Sequence, residues 1–377
     1  MKKLCFIISH RPDNRYLKRI NALKKYFELH IIFWNKTTSE INPHIDGIEV
    51  HEITIPANQT NPLKRIPELV KFIQAAYKKL KEILPDVVYV GNLDMLYIAR
   101  KYKHNKNSQL KIVYEIADLH RLIVDKQKGI KRFISNILKI TERKYVSDID
   151  VLVLTSMKFF DVYYSRFVPK DKVVFLPNMP EDEIFEEYIH KNRVDKPFTI
   201  GFIGWIRYKN QLKMLIEAAG KKNCKVLFAG TDGDGPEFEE YCKKFSYVEF
   251  LGSFNYEEKI RNLYDLVDCV YAVYDADWAN VRIALPNKLY EAIACETPII
   301  VSKNTYLAEL VEQMGIGLSV SHKYPEDLEN AIECLMKRDD VYMHMVEKCK
   351  EERKHQNCQS YNNTFVSSLL KLFGEKL

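Results

Sequence analysis

Three short segments of this 377-residue chain combine residue types that could act on a phosphorylated ligand. The first runs Asn280-Val281-Arg282-Ile283-Ala284-Leu285-Pro286-Asn287-Lys288-Leu289-Tyr290-Glu291-Ala292-Ile293-Ala294. Pro286 suits the first turn of a helix, and Leu289, Ala292 and Ile293 then share an apolar face. Lys288 falls in that first turn, where the positive end of the helix dipole disfavours a cation. A bound anion would remove the conflict, and the free backbone N–H groups would help to hold it. Glu291, about one turn further on, suits ribose hydroxyls. The same spacing also suits an ordinary surface lysine with an i,i+3 glutamate, a pairing worth about 0.2–0.5 kcal/mol.

The second segment is Gly201-Phe202-Ile203-Gly204-Trp205-Ile206-Arg207-Tyr208-Lys209. A strand runs into two glycines and then two cations. Glycine permits close approach of backbone to ligand, and an arginine can hold two phosphate oxygens at once. The glycines do not form G-x-G-x-x-G, so this is no dinucleotide fingerprint. A strand end with two solvated cations fits the same residues. The third segment is Phe228-Ala229-Gly230-Thr231-Asp232-Gly233-Asp234-Gly235-Pro236, a strand followed by a Gly/Asp turn. Its aspartates look like the start of a calcium loop, but the twelfth position counted from Asp232 is Lys243, which excludes that use.

The elements that must position these segments read as two βα arrays in tandem. In the first half, strands are expected at Leu4–Ser9, Leu29–Trp34, Ile48–Ile55, Val87–Val90, Lys111–Tyr114, Val151–Leu154 and Val173–Leu176. Helices are expected at Asn14–Tyr26 and over most of Pro62–Leu84. The stretch Pro180–Pro197 is acidic and loses apolar periodicity after Phe185. Beyond it the pattern restarts, with strands at Thr199–Ile203, Lys225–Ala229, Val248–Leu251, Val270–Val273, Pro298–Val301 and Leu318–Val320, and a helix at Gln211–Ala219. A terminal helix is expected at Asn362–Phe373. Continuous apolar strands separated by helices imply parallel sheets covered on both faces. Two such domains make a cleft at the carboxyl ends of their strands, where open α/β sheets bind ligands.

Composition narrows the function classes. The chain is 46% hydrophobic and 29% charged, which excludes a disordered or collagen-like protein. No run of 18 apolar residues occurs, so no transmembrane helix is expected. The opening Met1-Lys2-Lys3-Leu4-Cys5-Phe6-Ile7-Ile8-Ser9 is too short in apolar residues for a signal peptide and reads as a first strand of a cytoplasmic protein. The eight cysteines form no C-x-x-C, which favours idle thiols over metal or disulfide use. Residues 1–180 hold 32 Lys+Arg against 18 Asp+Glu; residues 181–377 hold 25 against 33. A basic half and an acidic half imply different partners for each.

Taken in order, the Gly201–Lys209 run, the Ala229-Gly230 turn, the Val248-Glu249-Phe250-Leu251-Gly252 strand and the Pro286–Glu291 helix start resemble glycosyltransferase family 4, in particular its members that build surface polysaccharides. In the first half, Asp13–Arg19, Pro85-Asp86-Val87-Val88-Tyr89 and Val174-Phe175-Leu176-Pro177-Asn178 resemble the family's first helix start, fourth strand and exit from the first domain. The resemblance implies the GT-B fold. Residues 1–178, completed by a C-terminal helix at 358–377, would form an acceptor-side Rossmann-like domain. Residues 198–357 would form the nucleotide-sugar domain, with the linker at about 178–197.

The resemblance also implies roles. Arg207, Lys288 and Asp118 become candidate catalytic residues; Gly204, Lys209, Gly230, Asn287, Glu291 and Asn280 become candidate donor-binding residues. Three departures stand out. Ile283 occupies the place of the family's first paired glutamate, so Asn280 or Asp277 would have to substitute. Arg207 and Lys209 are two residues apart where the family has five. Ala117-Asp118 stands where the family has His-Glu, with His120 two residues on. The implied reaction is retaining transfer of a sugar from a nucleotide sugar, UDP by expectation, to a glycan or lipid-linked acceptor. Cationic groups stabilise the departing diphosphate and no metal or other cofactor is expected. Asp275-Ala276-Asp277 reads as the D-x-D of GT-A enzymes, but in the wrong architecture for that use.

One further segment, residues 126–144, places apolar Ile130, Phe133, Ile134, Ile137 and Leu138 among several lysines and arginines. It suits peripheral contact with an anionic membrane at the inner face of the cell. It equally suits a helix packed on the sheet with its cations outward. Rival readings of the whole chain are a nucleotide-sugar epimerase of the same fold and a noncatalytic two-lobed sugar-binding protein. No nucleic-acid module is present to use the basic half.

Overall fold

The computed structural model describes residues 1–38, 45–58, 61, 63–186, 188, 196–233 and 235–377. Asp234, Pro62 and most of the expected linker after Glu186 lie outside them. The chain divides into two compact units, Met1–Pro177 with Ser360–Leu377, and Asn178–Gln359.

In the first unit the described strands are β1 (Lys2–Ile8), β2 (Phe27–Asn35), β3 (Glu49–Thr54), β4 (Val87–Val90), β5 (Lys111–Ile116), β6 (Val151–Leu154) and β7 (Val173–Phe175). They form a seven-stranded sheet in the order β3-β2-β1-β4-β5-β6-β7, and every pairing is parallel. The second unit contains β8 (Thr199–Ile203), β9 (Lys225–Ala229), β10 (Val248–Phe250), β11 (Cys269–Ala272), β12 (Ile299–Ser302) and β13 (Gly317–Val320). Their order is β10-β9-β8-β11-β12-β13, again parallel throughout. Each sheet reverses direction beside its first strand, the doubly wound pattern in which ligand loops gather at the carboxyl ends.

The cores explain the continuous apolar strands. All four residues of β4, β6, β11 and β12 are buried. In the first unit the Tyr89 ring centre lies 4.8 Å from that of Phe6, with the rings tilted, and Tyr89 meets Phe365, which the terminal helix Cys358–Lys371 brings into the same core. In the second unit Phe228 lies between Phe202 and Phe238. The described residues contain no helix long and apolar enough to cross a membrane. All eight thiols are free, and Cys334 alone is not fully buried.

The elements depart from expectation mainly at their ends. The first helix is Asn14–Leu23, capped by Asp13, and stops short of Tyr26. There the chain turns so that Phe27 can pair with Lys2 in the ladder. The second helix is Ile66–Ile83, started by Pro67 in its first turn.

The helix Gly129–Val146 is inverted relative to the packed alternative. Ser135, Glu142 and Val146 face inward. Ile130, Phe133, Ile134, Ile137 and Ile140 are exposed, Ile130 at 77%. The polar residues anchor the helix. Ser135 Oγ donates to the Leu122 carbonyl, and the Glu142 carboxylate accepts from Tyr114, Tyr163 and Tyr164 hydroxyls. Burial pushes the Glu142 pKa up, against the pull of those three phenols.

Candidate active site

The carboxyl ends of β8, β9 and β10 are tied into one platform. Gly204 N–H donates to the Ala229 carbonyl at 2.7 Å, and Gly230 N–H donates to the Gly252 carbonyl at 2.7 Å. Ile206 N–H donates to Thr231 O at 3.0 Å, which carries the chain past the strand ends. Gly230 has φ +150°, and a Cβ there would fall 1.8 Å from Gly204 O. Only a glycine lets these two backbones touch.

Arg207 follows this platform and is exposed. Its successor Tyr208 holds a left-handed conformation, φ 58°, as the residue before the helix Lys209–Lys222. For a bulky residue this backbone costs about 1–3 kcal/mol and persists only where its surroundings impose it. The Tyr208 ring rests against Tyr274 at 5.4 Å, which supplies part of that constraint. Lys209 turns away to Asp232, with Nζ 3.1 Å from Oδ2. The two cations therefore differ: Arg207 has no ion-pair partner among the described residues, whereas Lys209 has one.

The helix Asn287–Ala294 begins after Pro286, which is its N-cap rather than part of its first turn. The N–H groups of Asn287 and Lys288 donate to no described residue, as the first groups of a helix must unless a ligand or cap meets them. Lys288 is buried, only 8% exposed, so it is not a surface lysine. It forms no ion pair with Glu291 or any other described carboxylate. Its Nζ lies 4.4 Å from the centre of the Phe202 ring, a cation–π contact. A Cβ on Gly204 would lie 2.8 Å from that nitrogen, so glycine at 204 keeps the ammonium's space open. Burial pushes the Lys288 pKa down to about 8; the Glu291 charge opposes the fall and the nearby Arg207 charge adds to it.

Glu291 is buried beneath two tyrosines. Tyr256 hydroxyl donates to Oε1 at 2.8 Å and Tyr264 hydroxyl to Oε2 at 3.2 Å. Both oxygens are thus already engaged, and a ribose would have to use the lone pairs that remain. Phe202, Tyr256 and Tyr264 were invisible as site residues in the sequence, because isolated aromatics in strands and helices read as core.

Asn280 lies half-buried in the short helix Ala279–Ile283. Asp277, the other substitute for the missing glutamate, is exposed and held by Lys323 at 2.6 Å and His322 at 3.5 Å. His322 also lies 3.4 Å from Asp275. Asp275, Asp277 and His322 could together meet a cation, although Lys323 already neutralises Asp277. Asp277 lines a polar depression with Arg282, Lys303, His322 and Asp327, which Lys288 and Glu291 do not share.

In the first unit, Asp118 is exposed in the loop after β5. His120 caps the short helix Arg121–Val124 by accepting from Leu122 N–H at 3.2 Å. Glu115, within β5, is fully buried. Arg19 donates to Oε1 through two nitrogens at 3.2 and 3.3 Å, Arg15 lies 3.6 Å away, and Tyr89 hydroxyl donates to Oε2 at 2.6 Å. Burial works to raise the Glu115 pKa, but Arg15 and Arg19 outweigh it and the net shift is downward.

Residues 170–352 match the family model of glycosyl transferases group 1. The succinoglycan biosynthesis protein ExoL of Rhizobium meliloti (strain 1021) is 24% identical over 304 residues, 76% of this chain and 73% of that protein. Sucrose-phosphate synthase from Thermosynechococcus elongatus superposes with a TM-score of 0.75 at 16% identity over 99% of both chains. Anabaena Alr3699/HepE, solved in complex with UDP and glucose, superposes with a TM-score of 0.70 at 14% identity, over 98% of this chain and 99% of that one. The two doubly wound sheets and the superpositions give the chain the GT-B fold, and its residues 170–352 match the glycosyl transferases group 1 model.

Proposed function

We propose that the protein transfers a sugar from a nucleotide sugar, with UDP as the nucleotide, to a glycan or lipid-linked acceptor in the synthesis of a surface polysaccharide, with retention of anomeric configuration. One observation carries the reading: a buried ammonium, Lys288, stands at the start of a helix with Arg207 nearby and no carboxylate paired to it. Such a group is stabilised when an anion arrives. The polysaccharide role draws support from ExoL, and the nucleotide from the UDP bound to HepE.

In the proposed reaction the bond between the anomeric carbon and the diphosphate oxygen breaks, and its electron pair leaves with the nucleoside diphosphate. The acceptor oxygen forms the new bond on the same face and gives its proton to a departing phosphate oxygen. Negative charge therefore grows on the diphosphate in the transition state. Lys288, Arg207 and the N–H groups of Asn287 and Lys288 supply fixed positive charge there. These groups suffice for the proposed chemistry without a metal. Glu291, oriented by its two tyrosines, would contact the donor ribose, and Asp118 would contact the sugar or acceptor.

The exposed stripe Ile130, Phe133, Ile134, Ile137 and Ile140 is flanked by Lys126, Lys128, Lys131, Arg132, Lys139, Arg143 and Lys144. In this proposal it rests on an anionic membrane surface and brings the enzyme to a lipid-linked acceptor. Insertion of each large apolar side chain is worth about 1.5–3 kcal/mol, and each cation near the surface about 1 kcal/mol. A thermal-shift series with nucleotides and nucleotide sugars tests the donor assignment. UDP or a UDP-sugar should stabilise the wild type and lose that effect in Arg207→Ala and Glu291→Ala. Unchanged donor affinity and turnover in both variants would reject the site.

A further inference from the structure

A separate set of side chains lies on β2 and β3 at the edge of the first sheet. The parallel register sets His30 opposite Glu49 and Ile32 opposite His51. Side chains alternate along a strand, so Glu28, His30, Glu49 and His51 share one face. The other face of β2 sends Leu29 and Ile31 into the core. The two imidazoles are nearly parallel, with ring centres 5.9 Å apart. The Glu49 carboxylate spans them: Oε2 lies 3.2 Å from His30 Nδ1 and Oε1 lies 3.5 Å from His51 Nε2.

Hydrogen bonding does not account for those contacts. His30 Nδ1 and His51 Nε2 are buried and have no hydrogen-bond partner, because the Glu49 oxygens are near but misaligned. His30 is only 4% exposed. Its other nitrogen, Nε2, is engaged at 3.2 Å with Glu28 Oε1. A carboxylate on the outer nitrogen of a histidine is how metal-ligating imidazoles are commonly oriented. The spacing also fits. Four ligands set tetrahedrally at about 2.0–2.1 Å from an ion stand about 3.3 Å from one another; each nitrogen has one Glu49 oxygen near that distance, and one ligand atom from each of the three residues lies within 4.8 Å of the others.

We propose that His30 Nδ1, His51 Nε2 and the Glu49 carboxylate bind one divalent ion of the zinc class, with water as a fourth ligand, and that the ion clamps β3 to β2. Two imidazoles and one carboxylate select such an ion over calcium or magnesium, which favour all-oxygen shells. The site is independent of the sugar-transfer chemistry.

The test uses full-length protein stripped with a chelator and dialysed, then titrated with zinc by calorimetry, with cobalt as a spectroscopic probe of tetrahedral coordination. One equivalent should bind, raise the melting temperature and give the visible absorption of tetrahedral cobalt. His51→Gln and Glu49→Gln, both at positions more accessible than His30, should each weaken binding at least about tenfold. His322→Gln should leave it unchanged, which separates this cluster from the Asp275–Asp277–His322 group. The proposal fails if the wild type binds no stoichiometric zinc, or if binding survives both His51→Gln and Glu49→Gln. Should His51→Gln not fold, Glu49→Gln alone decides.

Discussion

Replacing Lys288 by methionine removes a charge while keeping the length of the side chain. The wild-type ammonium is buried against Phe202 and its pKa falls from 10.5 to about 8; a fall of that size corresponds to about 3 kcal/mol against the charged form. Folding the unliganded protein at neutral pH therefore works against this group. Lys288→Met should raise the stability of the unliganded second unit by up to about 3 kcal/mol, or about 6–12 °C for a unit of this size. The sign with pH follows from a folded pKa below the unfolded one. The penalty is complete below pH 8, shrinks as pH rises from 8 toward 10.5, and vanishes above that. The stability gap between variant and wild type should close over the same window. Turnover should move the opposite way, falling about 100–1,000-fold, the usual cost of removing one preorganised group at a developing negative charge. UDP should stabilise the wild type and do so much less in the variant. Thermal melts from pH 6 to 11 with and without UDP, together with initial rates of donor consumption, measure all of this. A variant no more stable than the wild type, with turnover within about threefold of it, would refute the reasoning.

Gly230→Ala would drive a Cβ to 1.8 Å from the Gly204 carbonyl oxygen, so the platform must open; a lower melting temperature and lost UDP stabilisation are expected, and unchanged melting would contradict the close approach. Arg19→Ala leaves the buried Glu115 with Arg15 at 3.6 Å as its remaining cation. A loss of about 3–5 kcal/mol in chemical denaturation is expected, as when one partner of a buried pair is removed. The Glu115 pKa is lowered on folding, so its contribution is present above the ordinary carboxylate range and is lost as pH falls through the folded value; the difference between Arg19→Ala and wild type should narrow in acid. The double substitution Phe133→Asp with Ile137→Asp changes two exposed residues. It should abolish sedimentation with anionic vesicles at low salt while leaving the melting temperature unchanged; undiminished sedimentation would rule out the stripe as the contact.

The strands were legible because each is a short, continuous apolar run, and burial on both faces is what selects such runs. Val87–Val90, Val151–Leu154, Thr199–Ile203 and Lys225–Ala229 have the same ends in sequence and structure. Several helices carry little sequence signal, among them Leu93–Asn105 and Asp339–His355. Their apolar faces are interrupted by lysines and tyrosines, so the helical period is weak. At the site, spacing identified Lys288 as misplaced for its helix, yet could not separate a buried cation from a surface one. That distinction depends on Phe202 and Gly204, more than eighty residues away in sequence. Glu115 escaped notice for a related reason: its partners Arg15 and Arg19 come from the first helix and become neighbours only when β5 is laid beside β4. The pairing of His30 with Glu49 and His51 likewise exists only once β2 and β3 are in register.

The helix Gly129–Val146 shows most directly why pattern alone could not decide orientation. Its sequence offers an apolar stripe, which periodicity assigns to the core by default. The structure instead turns inward a glutamate that satisfies three phenols and a serine that satisfies a carbonyl. A buried carboxylate with all three donors in place resists rotation of the helix: turning the stripe inward would leave Glu142 without Tyr114, Tyr163 and Tyr164, and an unmatched buried polar group costs about 1–3 kcal/mol. The outward stripe is therefore held by specific hydrogen bonds and not by a lack of core to cover it. If that is so, Glu142→Gln, which keeps one acceptor but loses the other, should loosen the helix and raise hydrogen exchange along Gly129–Val146. Glu142→Leu should loosen it further while Ile130→Ser, at the exposed end of the stripe, should not. Equal protection in all three variants would mean that the helix is oriented by something other than its polar face.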